Sequence, residues 1–232
     1  MSHTSSASFT STASTLFSND FQPARSFTIH AHGIPVIRIP GPSPEIEIPI
    51  TESDGKPKYK SIRSHRWSSS FVLNDAQGQN VATVDGDRFS NFPLRTIGIE
   101  LNGKGSDDKV KMKRKALMTR ACVFEYGGDE WAWRYGKRNE GAKMNGHTLL
   151  VLEKNKISES VRVAQLVRDK ETDAQGDTTK YRAGRGGRLD ISRELNGTME
   201  VLIVTSCLIM LKKEIDRRGN ARGVPIIQRL VS

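Results

Sequence analysis

The chain has 232 residues, 36% of them hydrophobic, with a mean hydropathy of −0.51. That is enough for one large domain or two small ones with a sizeable core, and it excludes a chain built from membrane-spanning helices. Thirty-six Lys and Arg against 26 Asp and Glu leave +10 at pH 7 and a pI near 9.7. This surplus favours acidic partners, whether nucleic acid, anionic lipid headgroups or acidic proteins, with solubility alone as the plainer reading.

Residues 1–18 are dominated by Ser and Thr, and the first charged residue is Asp20. Such a segment buries too little apolar surface to fold, so 1–22 is expected to be a disordered tail and 23–232 a single domain. A transit peptide is the alternative, against which no Arg occurs before Arg25. No basic stretch leading into an apolar one marks a secretory signal. Cys122 and Cys207 have neither zinc spacing nor a disulfide framework, which points to a reducing compartment.

From Phe27 the chain reads as short strands. Ser26–His30 and Val36–Ile39 are the first, and Gly41-Pro42-Ser43-Pro44 is a turn. Glu45–Ile50 alternates strictly, with Pro49 marking an edge strand or a strand end. Phe71–Leu73 and Asn80–Val84 flank a turn over Asn74–Gln79 and predict a hairpin. Leu94–Leu101 is a further strand, and Leu117–Tyr126 turns through Gly127-Gly128-Asp129 into Glu130–Tyr135. Thr148–Glu153 pairs with Val161–Arg168, and Lys180–Ala183 and Gly187–Ile191 close the series.

Met199–Leu211 is different. From Val201 to Leu211 the only polar side chains are Thr205 and Ser206, so the stretch is apolar on every side. Its β-branched content would suit a long strand, but thirteen residues is long for one, and the flanks favour a helix. Thr198 is the expected N-cap, Glu200 falls in the first turn, Lys212, Lys213, Arg217 and Arg218 fall in the last turns, and Gly219 is placed to end it. A helix with no polar face must be surrounded on every side. The run is shorter than the roughly 20 apolar residues that span a bilayer, so it is a core helix, with Cys207 a small buried hydrophobe. Asn196-Gly197-Thr198 is formally a sequon and is read as the approach to this helix.

Many short strands followed by such a helix predict a mainly β fold: a closed antiparallel barrel of about twelve strands around a buried helix at about 198–218. The layout resembles the tubby C-terminal-like superfamily, which takes in tubby domains, phospholipid scramblases and LURP-one-related proteins. Three features carry the likeness: the hairpin FVLNDAQGQNVATV at 71–84, the succession WAWRY at 131–135, TLLVLEK at 148–154, VRVAQLVRD at 161–169 and GRLDI at 187–191, and the terminal apolar helix. It covers roughly 24–230. The resemblance implies a non-enzymatic binding or scaffold module, and tubby domains take phosphoinositide headgroups on basic residues of the barrel surface; the chain is expected to be a monomer. Scramblases add an acidic calcium segment beside the helix. Here Lys212–Arg218 follows it instead, and no cofactor is implied.

The candidate binding residues are cationic. Lys111, Lys113, Arg114 and Lys115 lie in the densest basic run, and Lys111, Lys113 and Lys115 share one face if extended. They suit a phosphorylated headgroup, an anionic membrane surface or a nucleic-acid backbone, or serve as a solvated edge. Arg134, Lys137 and Arg138 follow Trp131 and Trp133, whose rings are expected to pack on the helix. Gly184-Arg185-Gly186-Gly187-Arg188 lacks Walker spacing and reads as a β-turn with exposed arginines. His30 and His32 share a face, without the acidic or cysteine partners a metal needs. Asp85-Gly86-Asp87 reads as a turn, and no catalytic signature is present. The expectation is a cytoplasmic protein, peripheral to a membrane or nuclear, that binds an anionic phospholipid headgroup. A nucleic-acid-binding or protein-interaction scaffold is the alternative.

Overall fold

The computed structural model describes residues 21–33, 47–64, 68–86, 96–102, 109–143, 147–155, 159–169, 183–192, 195 and 197–221, with the side chains of the last four excepted. The expected strand at Val36–Ile39, the turn at 41–44 and the tail up to residue 20 lie outside the described residues. Phe21, at the end of the segment assigned to the tail, is buried.

Twelve strands form a meander: β1 (Pro23–His32), β2 (Glu47–Glu52), β3 (Pro57–Ile62), β4 (Phe71–Asp75), β5 (Asn80–Gly86), β6 (Ile97–Leu101), β7 (Lys109–Arg114), β8 (Cys122–Tyr126), β9 (Asp129–Tyr135), β10 (Leu149–Asn155), β11 (Ser160–Val167) and β12 (Arg185–Ser192). Each pairs antiparallel with its sequence neighbours, and β1 closes the barrel against β12. Closure leaves no free sheet edge among the described strands. Side chains alternate along the strands. Val110 and Met112 of β7 point inward between exposed Lys109, Lys111 and Lys113, and Ile48 and Ile50 of β2 do the same beside exposed Glu47 and Pro49.

The hairpin turns follow local chemistry. Asp75 carboxylate oxygen accepts the N–H groups of Gln77 at 3.0 Å and Gln79 at 2.8 Å, and Gly78 takes the left-handed conformation that closes the turn. Between β8 and β9 the two-residue loop Gly127-Gly128 has φ of 63° and 80°. Positive φ at both central residues is what a type I′ hairpin requires.

The helix α1 (Gly197–Ala221) fills the barrel. Every side chain from Leu202 to Lys212 is buried. The helix packs on β5, β6 and β12, and side chains of β3, β8 and β9 also reach it. Trp133 Nε1–H donates to Ser206 Oγ at 2.8 Å, and the Ser206 hydroxyl donates to the Ile203 carbonyl at 3.1 Å. Trp131 packs in the same core, stacked on Phe124, with Nε1–H donating to the Tyr126 carbonyl. Cys207 is enclosed, and burial pushes its thiol up to about 12.

Several expected elements are corrected. The strand at Leu117–Tyr126 begins only at Cys122, because Lys115 N–H bonds the Ala121 carbonyl and Thr119 N–H bonds the Ala116 carbonyl, which reverses the chain. Gly184–Arg188 is not an exposed turn. Only Gly184 turns, and Arg185–Arg188 opens β12 with its glycines buried. A Cβ on Gly186 would lie 1.9 Å from the Ile29 carbonyl oxygen, so glycine there lets β12 meet β1. Asp85 and Gly86 end β5 and do not form a turn. Pro49 lies inside a strand paired on both sides, but the β1 ladder runs only from Ile50 to Glu52, so no β1 bond falls on it. The helix starts at Gly197, with Thr198 already in its first turn, and runs past Gly219 to Ala221. Finally, β3 was not expected. Its buried Tyr59 and Ser61 alternate with Lys58 and Lys60.

Two hydroxyls on α1 give opposite expectations. Ser206→Ala leaves the buried Trp133 N–H unpaired and should cost about 1–3 kcal/mol. Thr205 Oγ1 is buried with no hydrogen-bond partner, so Thr205→Val should be neutral or stabilising by about 1 kcal/mol. Urea denaturation of both variants checks this. Equal destabilisation by the two would refute the bonding assignment.

Candidate functional site

Strand parity fixes what meets at each end of the barrel. β7, β9 and β11 all run toward the end where α1 finishes. The connections that follow them therefore lie together there, and the tight hairpins after β4 and β8 lie at the opposite end.

The finishing end of α1 is held by Glu214. Arg168, after β11, grips its carboxylate with two bonds of 2.8 and 3.1 Å. The Tyr135 hydroxyl donates to it at 2.7 Å and Gly184 N–H at 2.9 Å. Arg217 then donates to the Tyr135 oxygen at 2.6 Å. The Arg168 and Glu214 side chains are each 2% exposed. Burial pushes the Glu214 pKa up, but the Arg168 charge and these donors outweigh it and hold the carboxyl at about 2. A Cβ on Gly184 would lie 2.3 Å from Ile215 Cγ1, and its φ of 78° is left-handed. Gly184 therefore serves a close approach to the helix, as Gly186 does to β1. The Gly184 N–H binds an internal carboxylate and Arg185–Arg188 lie in the sheet, so the run is not a phosphate-binding loop.

Outside this lock lies a basic rim. Arg120 Nη1 donates to His147 Nε2 at 3.0 Å, and its guanidinium lies 5.9 Å from the centre of the Tyr135 ring. Burial lowers the His147 pKa, and the Arg120 and Arg168 charges lower it further. A neutral ring can accept this bond. A shallow cavity of about 430 Å³ opens between Thr119, Arg120, Ala121, Arg134 and Tyr135.

The residues singled out in the sequence fall into three settings. Lys111 and Lys113 stand exposed on the outer wall of β7. Lys115, Lys137 and Arg138 are exposed where the wall meets the rim, and none of the three makes an ion pair among the described residues. Arg114 donates through Nε to the Thr119 carbonyl, pinning the turn after β7. Arg134 is engaged internally. It bonds Glu140 at 2.7 and 2.8 Å and Glu153 at 2.9 Å. Those bonds to Arg134, with help from Lys137 N–H and the Arg162 charge, hold Glu140 at about 2. Lys115 from one basic run and Lys137 and Arg138 from the other are thus brought to one end, and Arg134 braces the second of them through Glu140 and Glu153.

Sequence reasoning missed Arg120 and Lys143, because isolated cations carry no local pattern. It also missed the exposed Leu117 and Met118, which read as the start of a strand. Elsewhere, His30 bonds the Thr51 hydroxyl at 2.9 Å. Among the described residues no group of three or more His, Cys, Asp or Glu could hold a metal, and no helix is long and apolar enough to cross a membrane. No family model, curated protein or solved structure matches the chain.

Removing one partner of the buried pair leaves the other charge uncompensated, so Arg168→Met should cost about 3–5 kcal/mol. Arg168→Met/Glu214→Gln should cost less than the single change. A double variant as unstable as the single one would contradict the pairing. Because Glu214 and Glu140 are held below the ordinary carboxylate pKa of 4.5, their contribution is present above it and lost as pH falls toward about 2. Denaturation midpoints followed from pH 6 down to about pH 2 should decline through that window. A midpoint that stays flat to about pH 2 would contradict it.

Proposed function

We propose that this chain is a tubby-like, non-enzymatic module that binds anionic phospholipid headgroups, phosphoinositides in particular, at a membrane surface. The observation that carries the reading is the end of the barrel around the finish of α1. Lys115, Arg120, Lys137, Arg138 and Lys143 are exposed there, and none forms an ion pair among the described residues. Cations complement the negative end of a helix, and this accounts for Lys212, Lys213 and Arg217 on the helix itself. It does not account for basic side chains placed on two separate connections around it.

A second support is architectural. A closed twelve-stranded barrel around a C-terminal helix is the arrangement that the tubby-like resemblance implies. A third is rigidity. The start of the β9–β10 connection is tied down through Glu140, which bonds Lys137 N–H at 2.7 Å as well as Arg134. Cations on a fixed frame recognise a phosphorylated ring at lower entropic cost than cations on a loose chain.

Vesicle sedimentation tests this, comparing phosphoinositide with phosphatidylserine at matched surface charge and with RNA as competitor. Headgroup-selective binding that RNA does not displace is the expected result. Neutralising Lys115, Arg120, Lys137 and Arg138 to Gln should weaken it roughly a thousandfold, since each cation near an anionic surface contributes about 1 kcal/mol and every 1.4 kcal/mol is tenfold. Binding that is equal for all anions, or steeper in salt with RNA than with lipid, would overturn the reading in favour of generic electrostatics or nucleic acid.

A further inference from the structure

We infer that the turn after β7 is a membrane-insertion tip, carrying Leu117 and Met118 into the apolar edge of the bilayer while the surrounding cations hold the headgroups. The inference rests on the proposed function and adds the part of the lipid recognised, its acyl region.

Leu117 is 54% exposed and Met118 is 93% exposed. Among the described residues the only other exposed large apolar side chain is Val161, at 38% and at the opposite end of the barrel. A single exposed Leu needs no explanation, but two consecutive large apolar residues at the crest of a turn are different. This turn is also held in shape. Thr119 N–H bonds the Ala116 carbonyl at 3.2 Å and Lys115 N–H bonds the Ala121 carbonyl at 2.9 Å. Arg114 Nε donates to the Thr119 carbonyl from below. Leu117 and Met118 therefore occupy the two central positions of a pinned turn and point away from the body of the protein.

Charge identifies the occupant. Lys115 and Arg120 bracket the apolar pair, and Lys137 and Arg138 stand on the neighbouring connection of the same end. An apolar protein groove would not call for this collar of cations. An anionic bilayer calls for both parts, since interfacial binding combines buried apolar area with attraction to charged headgroups. The flexible thioether of Met118 suits an irregular acyl boundary.

The test uses the full chain and two variants, neither of which touches the core. In Met118→Cys the new thiol carries an environment-sensitive fluorophore, and Cys122 and Cys207 are buried and remain unlabelled. Phosphoinositide vesicles should shift its emission to the blue, and lipids brominated along the acyl chain should quench it. Leu117→Ser/Met118→Ser should lose at least tenfold in vesicle affinity and keep its affinity for soluble inositol trisphosphate within twofold. Vesicle binding with no blue shift, or with unchanged affinity in the double variant, would overturn insertion and leave the headgroup reading standing. A parallel loss for inositol trisphosphate would make the turn a headgroup contact and also overturn insertion. Absence of vesicle binding by the unaltered chain would overturn both.

Discussion

The structure depends on one constraint: α1 has no polar face across its middle, so it has to be enclosed. Its side chains from Leu202 to Lys212 are buried without exception. Leaving them in water would cost on the order of 1.5–3 kcal/mol for each large apolar residue. A sheet packed on one side cannot remove that cost. A closed meander can, and its inward positions supply the matching surface, from Ile29 and Ile50 through Val84 and Ile99 to Leu152 and Leu189. Polar groups inside the lumen are then held to few, and Ser206 is tolerated because it serves Trp133.

Enclosure also decides how the ends of the helix are built. At the start, Glu200 is buried and accepts from the Tyr59 hydroxyl and from Arg25. At the finish, Glu214 accepts from Tyr135, Arg168 and Gly184. Each carboxylate reaches strands far away in sequence and fixes the helix along the barrel axis. The second lock reaches the end of the barrel proposed to bind lipid. It joins β9, the end of β11 and the approach to β12, and β9 leads directly into the connection that carries Lys137 and Arg138.

The helix and the hairpins were legible in the sequence because their causes are local. An all-apolar run of that length, or Asn74–Gln79 between alternating flanks, needs no distant partner to be read. β3 was hidden because its inward residues are Tyr59 and Ser61, so its alternation is not one of apolar against charged. The turn at Ala116–Thr119 was hidden for the opposite reason: its apolar residues imitate a strand, and only the bonds across it reveal the reversal. The basic runs were visible as composition, but their meeting at one end follows from counting strands. The engagement of Arg134 was not visible, because Glu153 lies 19 residues away on another strand.

The proposed membrane face is the end of the barrel where α1 finishes. The most direct measurement is amide hydrogen exchange on the full chain, with and without phosphoinositide vesicles. The account predicts slowed exchange in the connections 115–121 and 136–143, with no change in the hairpin turns 76–79 and 127–128 at the other end. Protection of those hairpin turns, or bound protein with no protection at either connection, would contradict it.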